Sequence, residues 1–394
     1  MLRSLTIRAL GMCLVFQFGG SVAQAASLTL AWNANPEPDI AGYALYWGTQ
    51  PGTYTNGVDV GNQTSRKVTS LVAGTRYYFV LRAYNRAGML SLNSAEVSGV
   101  APVSNGTAVP GDYDGDVRAD LAVFRPNTGN WFILRSSNNY ASWNVYQWGA
   151  SGDVPVPGDY DGDRKFDVAV YRPSTGLWFV LKSTTNYTAW SNYQWGATGD
   201  APVPADYDGD GKVDVAIYRP STGAWWILKS STNYTTWTNS QWGVNTDVPV
   251  PGDYDGDGKA DVAIYRPSTG AWWILLSSTN YTAWTTYQWG ISTDTPVPGD
   301  YDGDGKTDIA VYRPGTGIWY VLLSTTNYTN FASYQWGVST DVPVPADYDG
   351  DGKTDVAVYR PSTGGWYILR SGTNSTSFMS YSWGTSTDVP VVLP

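Results

Sequence analysis

The sequence predicts an all-β protein, a small antiparallel sandwich followed by a β-propeller, and three observations carry that expectation. The first is a repeat: a phrase that reads GDYDGDVRADLAVFRP from Gly111 and ADYDGDGKTDVAVYRP from Ala346 occurs six times, every 47 residues, with no insertion or deletion. Periods of about 20 to 50 residues mark stacked supersecondary units, none of which can bury a core alone. The second is the texture of each unit, in which runs such as DIAVYRP and IWYVLLS are separated by STG and TTNYT turns. Four short strands per unit describe a propeller blade, and no 3.6-residue period competes with them. The third is residues 27–102, where alternating runs broken by Pro and Gly carry no copy of the repeat and read as a sandwich.

Taken in chain order, residues 1–25 join Arg3 and Arg8 to an apolar run through ALGMCLVF and then to Ala23-Gln24-Ala25. These are the charged, apolar and small-residue regions of a secretory signal peptide. Cys13 is the only cysteine and lies in that run, so the expected mature chain has none. No later stretch approaches 18 apolar residues, so no membrane span is expected. Residues 27–102 form the sandwich, with strands expected at SLTLAWNA, AGYALYWG, RKVTSL and TRYYFVLRAYN. Residues 103–106 read as a linker, and residues 107–394 as a propeller of six repeats. Six blades are expected, with seven as the alternative. The tail TDVPVVLP repeats the first-strand phrase TDVPVPADY without its loop. It is therefore placed to pair with, or replace, the weak first strand near Thr107-Ala108-Val109-Pro110 and so close the ring.

The loop of each repeat carries the chemistry. DYDGDGKTD at Asp300 sets carboxylates at positions 1, 3, 5 and 9, with a backbone carbonyl available from Lys306 at position 7. The candidate ligands are Asp112, Asp114, Asp116 and Asp120; Asp159, Asp161, Asp163 and Asp167; Asp206, Asp208, Asp210 and Asp214; Asp253, Asp255, Asp257 and Asp261; Asp300, Asp302, Asp304 and Asp308; and Asp347, Asp349, Asp351 and Asp355. Calcium takes six to eight oxygens in irregular geometry, which suits such a loop better than the strict octahedron of magnesium. An EF-hand is excluded, since position 12 is Val311 rather than Glu. Zinc and iron find no support in a chain with no His and one Cys. A polar turn without metal is the alternative.

Charge follows the loops. They hold 24 of the 34 acidic residues, six more stand at Asp153, Asp200, Asp247, Asp294, Asp341 and Asp388, and the rest are Glu37, Asp39, Asp59 and Glu96. Loss of Arg3 and Arg8 takes the net charge from −10 to −12, which about six calcium ions would cancel. That acidity argues against a nucleic-acid partner. Position 6 of the loop is Gly in four copies but Val117 in the first and Arg164 in the second. If the turn needs φ > 0 there, those two loops are strained.

The aromatic residues divide by position. Trp131, Trp178, Trp225, Trp272, Trp319 and Trp366, and the QWG or SWG set Trp148, Trp195, Trp242, Trp289, Trp336 and Trp383, are expected as core between blades. Trp143, Trp190, Trp237, Trp284, Phe331 and Phe378 near the outer strand are candidate ligand-binding residues for stacking on sugars. The arginines of the repeated RP dipeptide, Arg125, Arg172, Arg219, Arg266, Arg313 and Arg360, are expected to pair with the Asp153-type carboxylates or strand-end carbonyls.

A calcium loop between the first and second strands of a blade resembles the FG-GAP and VCBS-type repeats of secreted proteins and, at a distance, the integrin α propeller. The resemblance covers residues 107–394. Trp32, GYALYWG and LVAGTRYYFVLRAYNRAG resemble a fibronectin type III domain of the immunoglobulin-like class, with Tyr77 at the tyrosine corner and Leu71 and Trp32 in the core. The resemblances imply a secreted or cell-surface, calcium-stabilised binding protein whose partner is a glycan or an extracellular protein. A polysaccharide lyase or hydrolase, or its accessory module, is the rival, and a purely structural surface protein the third reading. Catalysis is not expected, because His and mature Cys are missing and the carboxylates are committed to the loops.

Overall fold

The computed structural model describes residues 13–15, 26–71, 76–100 and 108–391. Apart from Cys13–Val15, the expected signal peptide lies outside them, as do the linker 103–106 and Thr107. The chain divides into two compact units, the second running from Asn105 to Pro394 apart from a short early segment. Among the described residues, no helix is long and apolar enough to cross a membrane.

The first unit is a two-sheet sandwich. Strands β1 (Cys13–Val15), β2 (Ala26–Ala31) and β5 (Ser65–Leu71) form one sheet in the order β1-β2-β5. Strands β3 (Ile40–Gly48), β4 (Asn56–Gly61), β6 (Arg76–Asn85) and β7 (Val97–Val100) form the other in the order β4-β3-β6-β7. The four expected strands are present. NGVDVG and VSGV, which make β4 and β7, lack an apolar run long enough to announce themselves. Both sheets send side chains to one core that includes Trp32, Tyr43, Leu45, Leu71, Tyr77 and Phe79, and Trp32 meets Tyr43 edge-on at 5.7 Å.

The second unit is built from six four-stranded antiparallel sheets. In the second of them Val154–Pro155, Val168–Arg172, Leu177–Leu181 and Trp190–Gln194 lie in that order, with a one-turn 3-10 helix at Ser183–Thr185 before the last strand. First strands are only two residues long, shorter than TPVPGDYD suggests. The prolines of that phrase have no N–H to donate to a ladder, although Val156 N–H still reaches the Ala169 carbonyl at 2.8 Å.

The first sheet takes its missing strand from the far end of the chain. Val389–Pro390 pairs with Leu121–Arg125, Val389 opposite Phe124 and Pro390 opposite Val123. The tail therefore replaces the weak segment near Ala108, which joins no strand. Packing closes the same way: Leu121, Val123 and Leu134 of the first sheet share a core with Ala357, Tyr359, Trp366 and Ile368 of the sixth.

The two expected core tryptophan sets differ. Trp131, Trp178, Trp225, Trp272, Trp319 and Trp366 are fully buried, and each indole N–H donates to the carbonyl of the QWG-type tryptophan at 2.8 to 2.9 Å. The Trp148 set is only half buried, because it stands at the rim where two sheets meet. Its N–H donates to the next sheet, from Trp148 to Phe179 at 3.1 Å and, across the closure, from Trp383 to Phe132 at 3.3 Å. The six arginines pair in a bidentate manner with the six expected aspartates, five of them upstream, as Arg172 does with Asp153 at 2.7 and 2.8 Å, and Arg125 with Asp388 from the end of the chain at 2.7 and 2.9 Å. Trp225→Ala should therefore cost about 3–5 kcal/mol and Trp242→Ala clearly less; denaturant unfolding of the two variants checks the order.

Candidate metal centre

Each loop turns its carboxylates inward by local means. The position 1 aspartate accepts N–H bonds from positions 4 and 6, as Asp159 does from Gly162 at 2.6 Å and Arg164 at 2.8 Å. Asp167 at position 9 accepts from the Tyr160 N–H at 2.9 Å. Position 6 has positive φ in all six copies, at 86–89° for Gly211, Gly258, Gly305 and Gly352, 68° for Val117 and 70° for Arg164. A Cβ at Gly211 or Gly258 would meet nothing within 4 Å, so the cost of Val117 lies in its backbone conformation. Position 4 is glycine in every copy, at φ of 79–89°, and the position 7 side chain of the next loop lies across it, as Lys165 does across Gly115.

The result is a convergence of oxygens. Groups such as Asp112, Asp114 and Asp120, or Asp206, Asp208 and Asp210, bring one oxygen from each carboxylate within 4.8 Å of the others. Two like charges at that range repel by about 3 kcal/mol at an effective dielectric of about 20. Burial pushes the position 1 carboxyls of Asp112, Asp159, Asp206, Asp253 and Asp300 up to about 6 and that of Asp347 to about 7, with neighbouring carboxylates adding to the shift. At position 9, burial takes Asp120 to about 8, Asp167, Asp214, Asp261 and Asp308 to about 7, and Asp355 to about 6. One oxygen each of Asp114, Asp208 and Asp349 is buried without a hydrogen-bond partner. An all-oxygen cluster with orphaned acceptors and a charge deficit fits a hard cation.

A second loop, which the spacing of the aspartates does not announce, completes the cluster. The serine that opens each 3-10 turn, Ser136, Ser183, Ser230, Ser277, Ser324 or Ser371, donates its backbone N–H to the position 9 carboxylate at 2.6 to 2.7 Å. The next residue clamps position 3, as Thr184 Oγ1 does to Asp161 at 2.6 Å. The trace of this second loop in the sequence is the strict return of Ser 16 residues after the last loop aspartate. In the first copy Arg118 donates to Asp116 at 2.7 Å, so a guanidinium already occupies a position 5 carboxylate there.

The loops also hold one another. The position 8 N–H of each loop donates to the position 1 carbonyl of the preceding one, Phe166 to Asp112 at 2.7 Å and, across the closure, Ala119 to Asp347 at 2.7 Å. A tyrosine hydroxyl bridges five of the six joints, as Tyr187 does between the carbonyls of Tyr113 and Phe166 at 2.9 and 2.8 Å. In the sixth copy that tyrosine is Ser375.

The candidate aromatic site residues are exposed, at 50–59% for Trp143, Trp190, Trp237, Trp284, Phe331 and Phe378. Each ring lies within 5.3 to 6.2 Å of a half-buried rim tryptophan.

Repeated four-stranded sheets closed through the last strand, each with a loop that gathers carboxylates to one point, define a repeat β-propeller. The FG-GAP-like repeat model matches residues 159–217, 206–264, 253–311 and 300–358, and the fibronectin type III domain matches residues 17–100. The chain belongs to the FG-GAP-like repeat family, with a fibronectin type III domain at its N-terminal end. It is 38% identical over 99 residues to chitinase A1 of Niallia circulans and 38% over 109 residues to a kelch domain-containing protein of Saccharolobus solfataricus. Those stretches are 25% and 27% of this chain but only 12% and 14% of the relatives. Among solved structures, an Fn3-like protein from Clostridium thermocellum is 30% identical with a TM-score of 0.19, covering 22% of this chain and 84% of that one. A lectin of Agrocybe aegerita that recognises non-reducing terminal N-acetylglucosamine is 14% identical with a TM-score of 0.45, covering 67% of this chain and 76% of that one.

Two expectations follow. A carboxyl whose folded pKa stands above its unfolded value of about 3.9 holds its proton more tightly in the fold. That stabilisation is full below about pH 4 and is lost as pH rises through about 6 to 8. Without a divalent cation the melting temperature should therefore fall between about pH 5 and pH 8, and added cation should restore it most at the alkaline end; a flat profile in chelator would contradict the buried-carboxylate account. Val117→Gly relieves a β-branched residue at positive φ, so it should stabilise the protein by about 1 kcal/mol, with Arg164→Gly smaller; paired melts measure both.

Proposed function

We propose that this is a secreted, calcium-stabilised binding protein whose six-bladed propeller recognises glycans or another cell-surface partner, with the fibronectin type III domain as spacer or docking module. The observation that carries the reading is the row of exposed aromatic rings at one register of six successive sheets. Large rings left half in water at equivalent positions invite a ligand that stacks, and weak repeated sites bind multivalently. Calcium is assigned because the donors are all oxygens and extracellular calcium suits shallow acidic loops. Secretion rests on the character of residues 1–25. No catalytic role is assigned, since every cluster of acids in the repeats recurs with the period and no copy holds a singular site.

A second reading, an accessory module of a polysaccharide-degrading enzyme, is favoured by the 38% identity to chitinase A1. It shares the binding role and differs in what the chain is attached to.

Metal analysis should find about six calcium ions per chain, and binding to a glycan array or to whole cells should fall when chelator replaces calcium. Full binding in chelator with an unchanged melting temperature would remove calcium from the account, and silence on both arrays and cells would leave the structural reading.

A further inference from the structure

Resting on that binding role, we infer that the rim takes an uncharged polysaccharide chain, with its principal subsites on the second, third and fourth sheets. On the fourth sheet Trp284, Thr286 and Gln288 are exposed on one face of the last strand. Trp273 lies opposite Thr286, and the Trp284 ring stands 5.2 Å from Trp273 and 6.1 Å from Trp242 of the preceding sheet. An open aromatic platform thus continues into a hydroxyl and an amide set in line.

The polar groups are held ready. Gln288 Nε2 donates to the Thr269 carbonyl at 2.5 Å, which orients the amide and leaves Oε1 as an acceptor. Thr286 Oγ1 donates to the Trp272 carbonyl at 2.8 Å, so its lone pairs remain. A partner that matches must offer a flat C–H face and hydroxyl donors beside it, as a pyranose ring does. Trp237, Asn239 and Gln241 repeat the set on the third sheet, and Trp190, Asn192 and Gln194 on the second. The first sheet has Val145 at the middle position, the fifth and sixth carry the smaller Phe331 and Phe378, and the sixth has Ser382 for the glutamine.

Charge selects against acidic polymers. Arg266 reaches over Trp273 at 5.5 Å, but Asp247 holds its guanidinium with two bonds of 2.8 Å. That pairing, repeated by Arg172 with Asp153 and by Arg219 with Asp200, leaves none of the guanidiniums that lie over these rings free for a uronate or sulfate.

Affinity gel electrophoresis of the full chain in calcium tests this, with hydroxyethylcellulose, galactomannan and glycol chitin as uncharged probes and alginate and polygalacturonate as charged ones. At least one uncharged probe should retard the protein, equally from about 20 to about 500 mM NaCl. The triple variant W190A/W237A/W284A should bind about tenfold more weakly or worse and F331A/F378A should lose less. N192A/N239A/T286A, which spares the aromatic packing, should also weaken binding. Salt-sensitive retardation by alginate or polygalacturonate alone would overturn the uncharged class while leaving glycan binding intact. Retardation by no polysaccharide, with cell binding preserved, would overturn the glycan reading itself. Equal losses in the Trp and Phe variants would overturn the ranking of subsites.

Discussion

Everything in the ring is arranged around one electrostatic problem: three carboxylates brought within a few ångströms of each other in each loop, with those at positions 1 and 9 largely withdrawn from water. The fold supplies a partial answer in N–H donors, from the loop's own turns and from the serine-headed 3-10 turn that docks on it. Those bonds do not offset desolvation, and the carboxyls at positions 1 and 9 remain shifted upward. Proton or cation must supply the rest. The same chemistry links stability to the surroundings of the protein, because a loop that is comfortable with a cation is uncomfortable as a bare cluster of charges.

Coupling between the loops follows from the ring itself. Each position 1 aspartate uses its side chain inside its own loop and its carbonyl to receive the next loop, so the backbone that shapes one cluster also seats the following sheet. The tyrosine bridge reinforces five of the joints, and Ser375 leaves the one between the fifth and sixth sheets with less support. Closure at the first sheet uses the same devices as the other sheets, a two-residue strand and a buried aspartate that grips an arginine, but Val389–Pro390 and Asp388 supply them from the other end of the chain. A repeat protein without closure would expose two apolar sheet faces; here each is covered.

The outer rim uses a different balance. The arginines of its RP dipeptides are spent on buried aspartates and its indoles are partly stacked on one another, which leaves a surface that is aromatic and polar. Variation between copies concentrates on this rim and on positions 6 and 8 of the loops, while the buried tryptophans recur without exception.

Much of this was legible in the residues alone. The period, the strand pattern, the inward turn of the aspartates and the need for glycine at position 6 all arise within a dozen residues, where chain geometry leaves few alternatives; Val117 and Arg164 at positive φ show how firmly that local turn is imposed. The pairing of Arg172 with Asp153 was likewise readable, since opposite charges recur at one spacing. Other features depend on which segments the ring brings together. The docking of Ser183 on Asp167, the half burial of Trp148 against the next sheet, and the seating of Val389 beside Phe124 from the other end of the chain are contacts between distant segments. No local propensity encodes them, because each becomes favourable only after the sheets have stacked and the ring has closed.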